Sequence, residues 1–167
     1  MDIARAFDSA ELRRVFGTFV TGVTVVSTVG RDGARFGVTA NSFSSVSLEP
    51  PLVLWSQART SPSHRAFFEA PVFAVNILAE DQVHLSRRFA TSGGDKFANL
   101  EIDEGLSGLP LLRGCSAWLE CEVVSKIPGG DHTIYIGEVK RLRRGPRKSL
   151  AFGNGQYLVT DIHACRL

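Results

Sequence analysis

No stretch of this chain approaches the roughly 20 consecutive apolar residues that a membrane-spanning helix requires. Residues 1–11 (MDIARAFDSAE) show neither the basic flank nor the apolar run of a secretory signal, so a soluble, cytoplasmic protein without membrane association is expected. Cysteine is scarce and odd in number. Cys115, Cys121 and Cys165 form no C-x-x-C pair and have no histidine at zinc-ligand spacing, which argues against a metal site and a disulfide framework. Cys121 lies in the strand-like run AWLECEVV, where a buried free thiol is commoner than a nucleophile. A large excess of one charge is also missing, the net charge being +2. The one basic cluster, residues 140–148 (KRLRRGPRK), has no interleaved aromatics and reads as a solvated strand end and turn rather than a nucleic-acid site. There is no G-x-S-x-G, no H-E-x-x-H and no Walker loop. Gly153-Asn154-Gly155 lacks a third glycine and opens no helix, so it reads as a hairpin turn, not a dinucleotide fingerprint.

What remains is a chain of 167 residues, a length that fits one domain. Asp8 can cap a short helix, with Glu11 three residues on and Leu12, Val15, Phe16 and Phe19 along one face. Residues 23–29 (VTVVSTV) are almost all β-branched, and Asp32-Gly33 supplies a turn before a second extended run over 35–40. Pro50 and Pro51 break regular structure ahead of a strand over 52–56. Helices are expected over 63–69 and 80–90 with a strand over 72–78 between them, and an irregular surface excursion over 91–112. Two long strands over 117–127 and 133–142 would form a hairpin with the five-residue loop 128–132 (PGGDH), and a last strand would occupy 157–160. Strands outnumber helices and their connections are too short for crossover helices. A mainly β fold follows, an antiparallel barrel, closed or nearly so, with a few peripheral α-helices.

Two segments place small hydroxyl, amide and cationic side chains at the ends of apolar strands, residues 39–45 (TANSFSS) and 56–61 (SQARTS). Such groups can match the alternating donors and acceptors of a flavin ring edge, and Arg59 suits a phosphate. Clusters of Ser, Thr and Asn are equally ordinary turn and cap formers. Both readings stand on composition alone.

The run 37–53 (GVTANSFSSVSLEPPLV), with 58–61 (ARTS), 73–78 (FAVNIL), 95–97 (DKF), 130–132 (GDH) and 137–139 (GEV), resembles the flavin reductase-like, FMN-binding split-barrel family, which includes the reductase components of two-component flavin monooxygenases. The resemblance runs in order over residues 16–157. It implies an antiparallel split β-barrel, FMN or FAD as the flavin, NADH or NADPH as hydride donor, a homodimer and a separate oxygenase component. It further implies that Thr39, Ala40, Asn41 and Ser42 face the isoalloxazine ring, that Ser56, Gln57 and Ala58 line the flavin, and that Arg59, Thr60 and Ser61 hold its phosphate, with Lys96 as a second phosphate contact. Phe89 and Phe97 would wall the flavin or serve as plain core, and Tyr157 has the same two readings. His132 would be the catalytic group, orienting the nicotinamide or donating toward the reduced flavin. Asp131 would hold the turn, and His64, His84 and His163 read as surface or helix residues. The rival readings are a split-barrel oxidase acting on a pyridoxine-type phosphate, a flavin-binding electron-transfer module, and a cofactor-free interaction protein.

Overall fold

The computed structural model describes residues 7–161. Asp8 accepts a hydrogen bond from the Glu11 N–H at 2.7 Å, so the first helix, α1 (Ser9–Gly17), starts capped as expected. Its apolar face is only partly covered: no residue of α1 is buried, Leu12 is half-buried, and Val15, Phe16 and the following Phe19 are exposed.

Strands β1 (Thr21–Gly22), β2 (Thr24–Val29) and β3 (Arg35–Ala40) follow, β2 and β3 pairing as the expected hairpin over Asp32-Gly33. A second hairpin joins β4 (Ser44–Leu48) to β5 (Pro51–Ala58) over a turn at Glu49-Pro50, whose peptide is cis; Pro50 breaks the strand there, while Pro51 is already the first residue of β5. After α2 (His64–Glu69) and β6 (Val72–Ile77), helix α3 (Val83–Ala90) is shorter than expected. Gln82 stands just before its first residue, its side chain accepting from Ala79 N–H and donating to Arg113 C=O.

Residues 91–112 are not a surface excursion. Within them β7 (Ile102–Glu104) pairs with β8 (Pro110–Leu112), and Phe97, Leu109, Leu111 and Leu112 are buried. The long hairpin of β9 (Ala117–Gly129) and β10 (His132–Arg144) turns on two residues instead of five. Gly130 takes φ 66°, a left-handed conformation that favours glycine, and this tightens the turn. His132 is thereby the first residue of β10, not a loop residue. Strands β11 (Leu150–Gly153) and β12 (Gln156–Val159) close over Asn154-Gly155.

All pairings are antiparallel. A seven-stranded sheet runs β3-β2-β6-β9-β10-β5-β4, a three-stranded sheet runs β1-β11-β12, and β7-β8 stand apart. The described chain is mainly β with three α-helices. One core cluster gathers Val26, Val53, Trp55, Phe67, Phe73, Val75, Cys121 and Tyr135, and a second gathers Leu78, Leu85, Phe89, Phe97, Leu109 and Trp118 among others. Each such side chain contributes about 1.5–3 kcal/mol on burial.

One buried polar group ties several of these elements together, while the buried Trp55 Nε1 makes no hydrogen bond with the described residues. Asn76 of β6 donates from Nδ2 to Val25 C=O (2.9 Å) and to Ser27 Oγ (3.0 Å), and its Oδ1 accepts from Leu112 N–H (2.8 Å). Ser27 in turn donates to Pro110 C=O at 2.6 Å, so β2, β6 and β8 are tied together at one point. Cys115 and Cys121 are free and buried, and burial pushes both thiols up to about 12. Cys165 and His163 lie outside the described residues. The basic cluster is a solvated strand end: Lys140 pairs with Glu138 and Glu122, Arg147 pairs with Asp81, and Arg143 pairs with Asp103 while lying 4.1 Å from the centre of the Trp118 ring. No helix among the described residues is long and apolar enough to cross a membrane.

Candidate active site

Both polar segments singled out in the sequence end on strands that bound one cavity. It measures about 240 Å3 and is lined by Thr39, Ala40, Asn41, Ser42, Ser56, Gln57, Ala58, Ser61 and His132, together with Val38 and Trp55. Strands β3 and β5 are not sheet neighbours, so only the folded chain brings 39–42 against 56–58. His132 reaches the same end because the β5–β10 register sets it opposite Ala58.

A second cavity of about 250 Å3 shares Val38 and Ser61 with the first. Phe89 and Phe97 wall it, edge to face with ring centres 5.0 Å apart, and Arg35, Ser63 and Lys96 add polar groups. Both rings press on Gly37, where an added Cβ would stand 2.5 Å from a Phe89 ring carbon. Only glycine at that point of β3 lets the wall close. Both phenylalanines are therefore core and wall at once. Asp95 Oδ1 accepts from Phe97 N–H at 2.9 Å, and Lys96 donates to Phe89 C=O at 3.1 Å. Partial burial lowers the Lys96 pKa. Its ammonium has two further donors.

Hydrogen bonds show which groups are already engaged. Thr39 Oγ1 donates to Ser86 C=O on α3 at 2.6 Å, and Ser42 Oγ both donates to Ser56 C=O and accepts from Ser56 N–H at 3.0 Å. Those two hydroxyls hold the site's shape rather than offer their protons to a ligand. The Asn41 side chain makes no hydrogen bond with the described residues and is exposed at the cavity. Gln57 is 3% exposed, and its amide donates to Ser61 Oγ (3.3 Å) and Ser63 Oγ (3.0 Å) while accepting from the Tyr135 hydroxyl (3.4 Å). Burial pushes Tyr135 up to about 12, which keeps that hydroxyl a donor.

His132 bonds through Nδ1 to Asp131 Oδ1 at 2.7 Å, and this bond holds the Asp131 carboxyl below its ordinary range. An ionised carboxylate only accepts, so Nδ1 is the donor and Nε2 is left for whatever enters the cavity. His64 is half-buried, its Nε2 within 2.9 Å of Thr133 Oγ1, and His84 is exposed on α3.

Three expected residues line neither cavity. Arg59 and Thr60 sit in the exposed turn after β5, where Arg59 N–H donates to Asp131 C=O at 3.0 Å; the Arg59 guanidinium makes no ion pair with the described residues. Tyr157 bonds through its hydroxyl to Ser86 Oγ at 2.9 Å and packs on Phe152, so it braces α3. Sequence reasoning missed Val38, Trp55 and Ser63. The alternation along β5, which buries Val53, Trp55 and Gln57, was the available signal for Trp55.

Residues 16–160 match the family described as the flavin reductase-like domain. The chain is 43% identical over 150 residues to the NADH-dependent FMN reductase of Agrobacterium fabrum, covering 90% of this chain and 85% of that protein. It is 45% identical over 147 residues to the reductase component of the flavin-dependent trigonelline monooxygenase of Acinetobacter baylyi, covering 88% of this chain but 47% of that one. It thus spans about half the length of some relatives it matches. Among solved structures, the NADH:FAD oxidoreductase of Streptomyces globisporus, in complex with NAD and FAD fragments, superposes with a TM-score of 0.90 at 40% identity, covering 99% of this chain and 100% of that one. With nearly all of its length matched in sequence and in backbone, the chain belongs to the flavin reductase-like domain family.

Proposed function

We propose that this chain is a single-domain NAD(P)H:flavin oxidoreductase that supplies reduced flavin to a separate monooxygenase. The observation that carries the reading is the convergence of 39–42, 56–58, Ser61 and His132 on one cavity, from strands that are not all sheet neighbours. The donor set fits a flavin nucleotide. The free amide of Asn41 and the backbone of 39–42 and 56–58 suit a ring edge, and Ser61 with Lys96 and the nearby Arg59 suits a phosphate. Bound flavin supplies the redox chemistry, accepting a hydride from the dihydronicotinamide C4, so the protein needs no nucleophile of its own. Its own tasks are positioning and charge stabilisation. Asp131 engages the His132 ring through Nδ1 and leaves Nε2 for the cavity that His132 lines, and Thr39 anchors the end of β3 to α3.

The barrel reading has support in the same geometry. The cavity touches both edge-side β3 and β5, and the cluster around Trp55 and Phe73 takes side chains from β2, β5, β6, β9 and β10, as the inside of a split barrel would. A homodimer would cover the face of Val15, Phe16, Phe19 and Val20, which stays largely exposed in the described chain. Light scattering should return twice the chain mass; a monomer of full activity would rule the dimer out.

The reading is tested by loss of nicotinamide absorbance with and without added FMN or FAD, and with NADPH in place of NADH. Turnover that depends on added flavin is expected. Tight flavin binding with no nicotinamide oxidation would sink it.

A further inference from the structure

Gln57 is a buried amide with an unusual set of partners: two serine hydroxyls on one side and a tyrosine hydroxyl on the other. Its orientation is fixed. Tyr135 stands opposite Trp55 in the β5–β10 register and stacks on it with ring centres 4.8 Å apart and 15° between planes, which holds the tyrosine hydroxyl against Oε1. The Nε2 group therefore faces Ser61 and Ser63 and gives a hydrogen to each. A hydroxyl oxygen that accepts from an amide keeps its own hydrogen to donate. Ser61 Oγ and Ser63 Oγ are 3.2 Å apart, so one hydroxyl hydrogen can close that contact. The other has no acceptor among the described residues. Ser63 stands at the N-cap of α2 without making the cap bond that serine ordinarily makes there. Both serines line the cavity that also holds Arg35 and Lys96.

We propose that Gln57 is a positioning residue that, by donating to both Ser61 and Ser63 oxygens, leaves one hydroxyl hydrogen of the pair free to point outward, making the pair, with Ser63 as a new member, the part of the site that recognises the flavin phosphate. The inference rests on the flavin reading above. It departs from the expectation that Gln57 lines the flavin directly, because both ends of the amide are engaged within the protein. Anion recognition by neutral hydroxyls needs an outward-pointing hydrogen, and the pair keeps one once the other closes the Ser61–Ser63 contact. An amide that donates to both oxygens achieves that without adding charge.

Substitution by glutamate inverts the network at nearly constant shape. A carboxylate accepts from both serines, turns their hydrogens inward and sets a negative charge beside the anion. Substitution by methionine removes the donors without adding charge. The test is titration of FMN and of riboflavin, which lacks the phosphate, into the full chain, followed by quenching of flavin fluorescence. The unsubstituted protein should bind FMN at least about 10-fold tighter than riboflavin. Gln57→Glu should weaken FMN about 10- to 100-fold, the range expected for loss of one hydrogen bond to a charged group, with riboflavin within about twofold. Gln57→Met should lower FMN affinity by a smaller factor in the same pattern, and serves if the glutamate variant does not fold. Retention of the FMN preference in a folded variant overturns the inference and leaves the flavin reading intact, as does a parallel loss of riboflavin affinity, which would make Gln57 a fold determinant only. An unsubstituted protein that binds riboflavin as tightly as FMN overturns the phosphate reading of Ser61 as well.

Discussion

Replacing His132 with alanine should lower kcat for NADH-dependent flavin reduction about 100-fold while flavin affinity stays within about threefold. The expectation follows from what His132 touches and what it does not. Its Nδ1 is taken by Asp131, its backbone is locked opposite Ala58 and Gly129 in the ladder, and Nε2 is the only polar atom of the side chain free for the cavity. On the proposed site, a group so placed would act on the reacting pair and contribute little to holding flavin, whose polar contacts would lie along 39–42 and 56–61. Asp131→Asn should give a smaller loss, about 10-fold, because an amide can offer its NH2 to Nδ1 and turn the ring's single hydrogen the other way. Steady-state kinetics with flavin titrations separate the cases. Equal loss of kcat and of flavin affinity in the alanine variant would move His132 from the reacting centre to the binding wall.

Asn76→Leu is the substitution expected to cost most stability, about 3–5 kcal/mol. It leaves the buried Leu112 N–H without an acceptor and deprives Ser27 Oγ of its donor, each such loss costing about 1–3 kcal/mol. The side chains share their branching but leucine is the larger, so packing in this buried position adds strain and offers no compensation. For a domain of this size the melting midpoint should fall about 10 °C or more. Thermal melts with and without FMN would show it, the drop persisting in both because Asn76 lines neither cavity. A change below 1 kcal/mol would mean that water satisfies the orphaned groups.

Local chemistry was legible where it is self-contained. The Asp8 cap, the turn at Asp32-Gly33, the bounds of β3 and the turn at Asn154-Gly155 all rest on residues within four positions of one another. Strand β4 was not legible because Ser44–Leu48 is a polar edge strand with hardly any inward face to leave a pattern. Residues 91–112 misled for the opposite reason: the glycines and acids of the stretch hide the run 109–112, which is buried under the sheet. The helix α1 formed where its cap and one-faced apolar pattern put it, and most of that face stays exposed in the described chain. In the site, residue types could be read but their commitments could not. That Thr39 donates to a carbonyl 47 positions away, or Gln57 to two serines and not to a ligand, is settled by tertiary packing.

On the proposed activity, the protein hands electrons to flavin in air and so works beside hydrogen peroxide, which attacks thiolates far faster than thiols. With Cys115 and Cys121 pushed up to about 12 by burial, roughly one in 10^5 of either is ionised at neutral pH. The only methionine is Met1. The strands that carry the site thus contain almost no sulfur an oxidant can reach, and the same burial that packs the core also shields the catalyst from its own by-product.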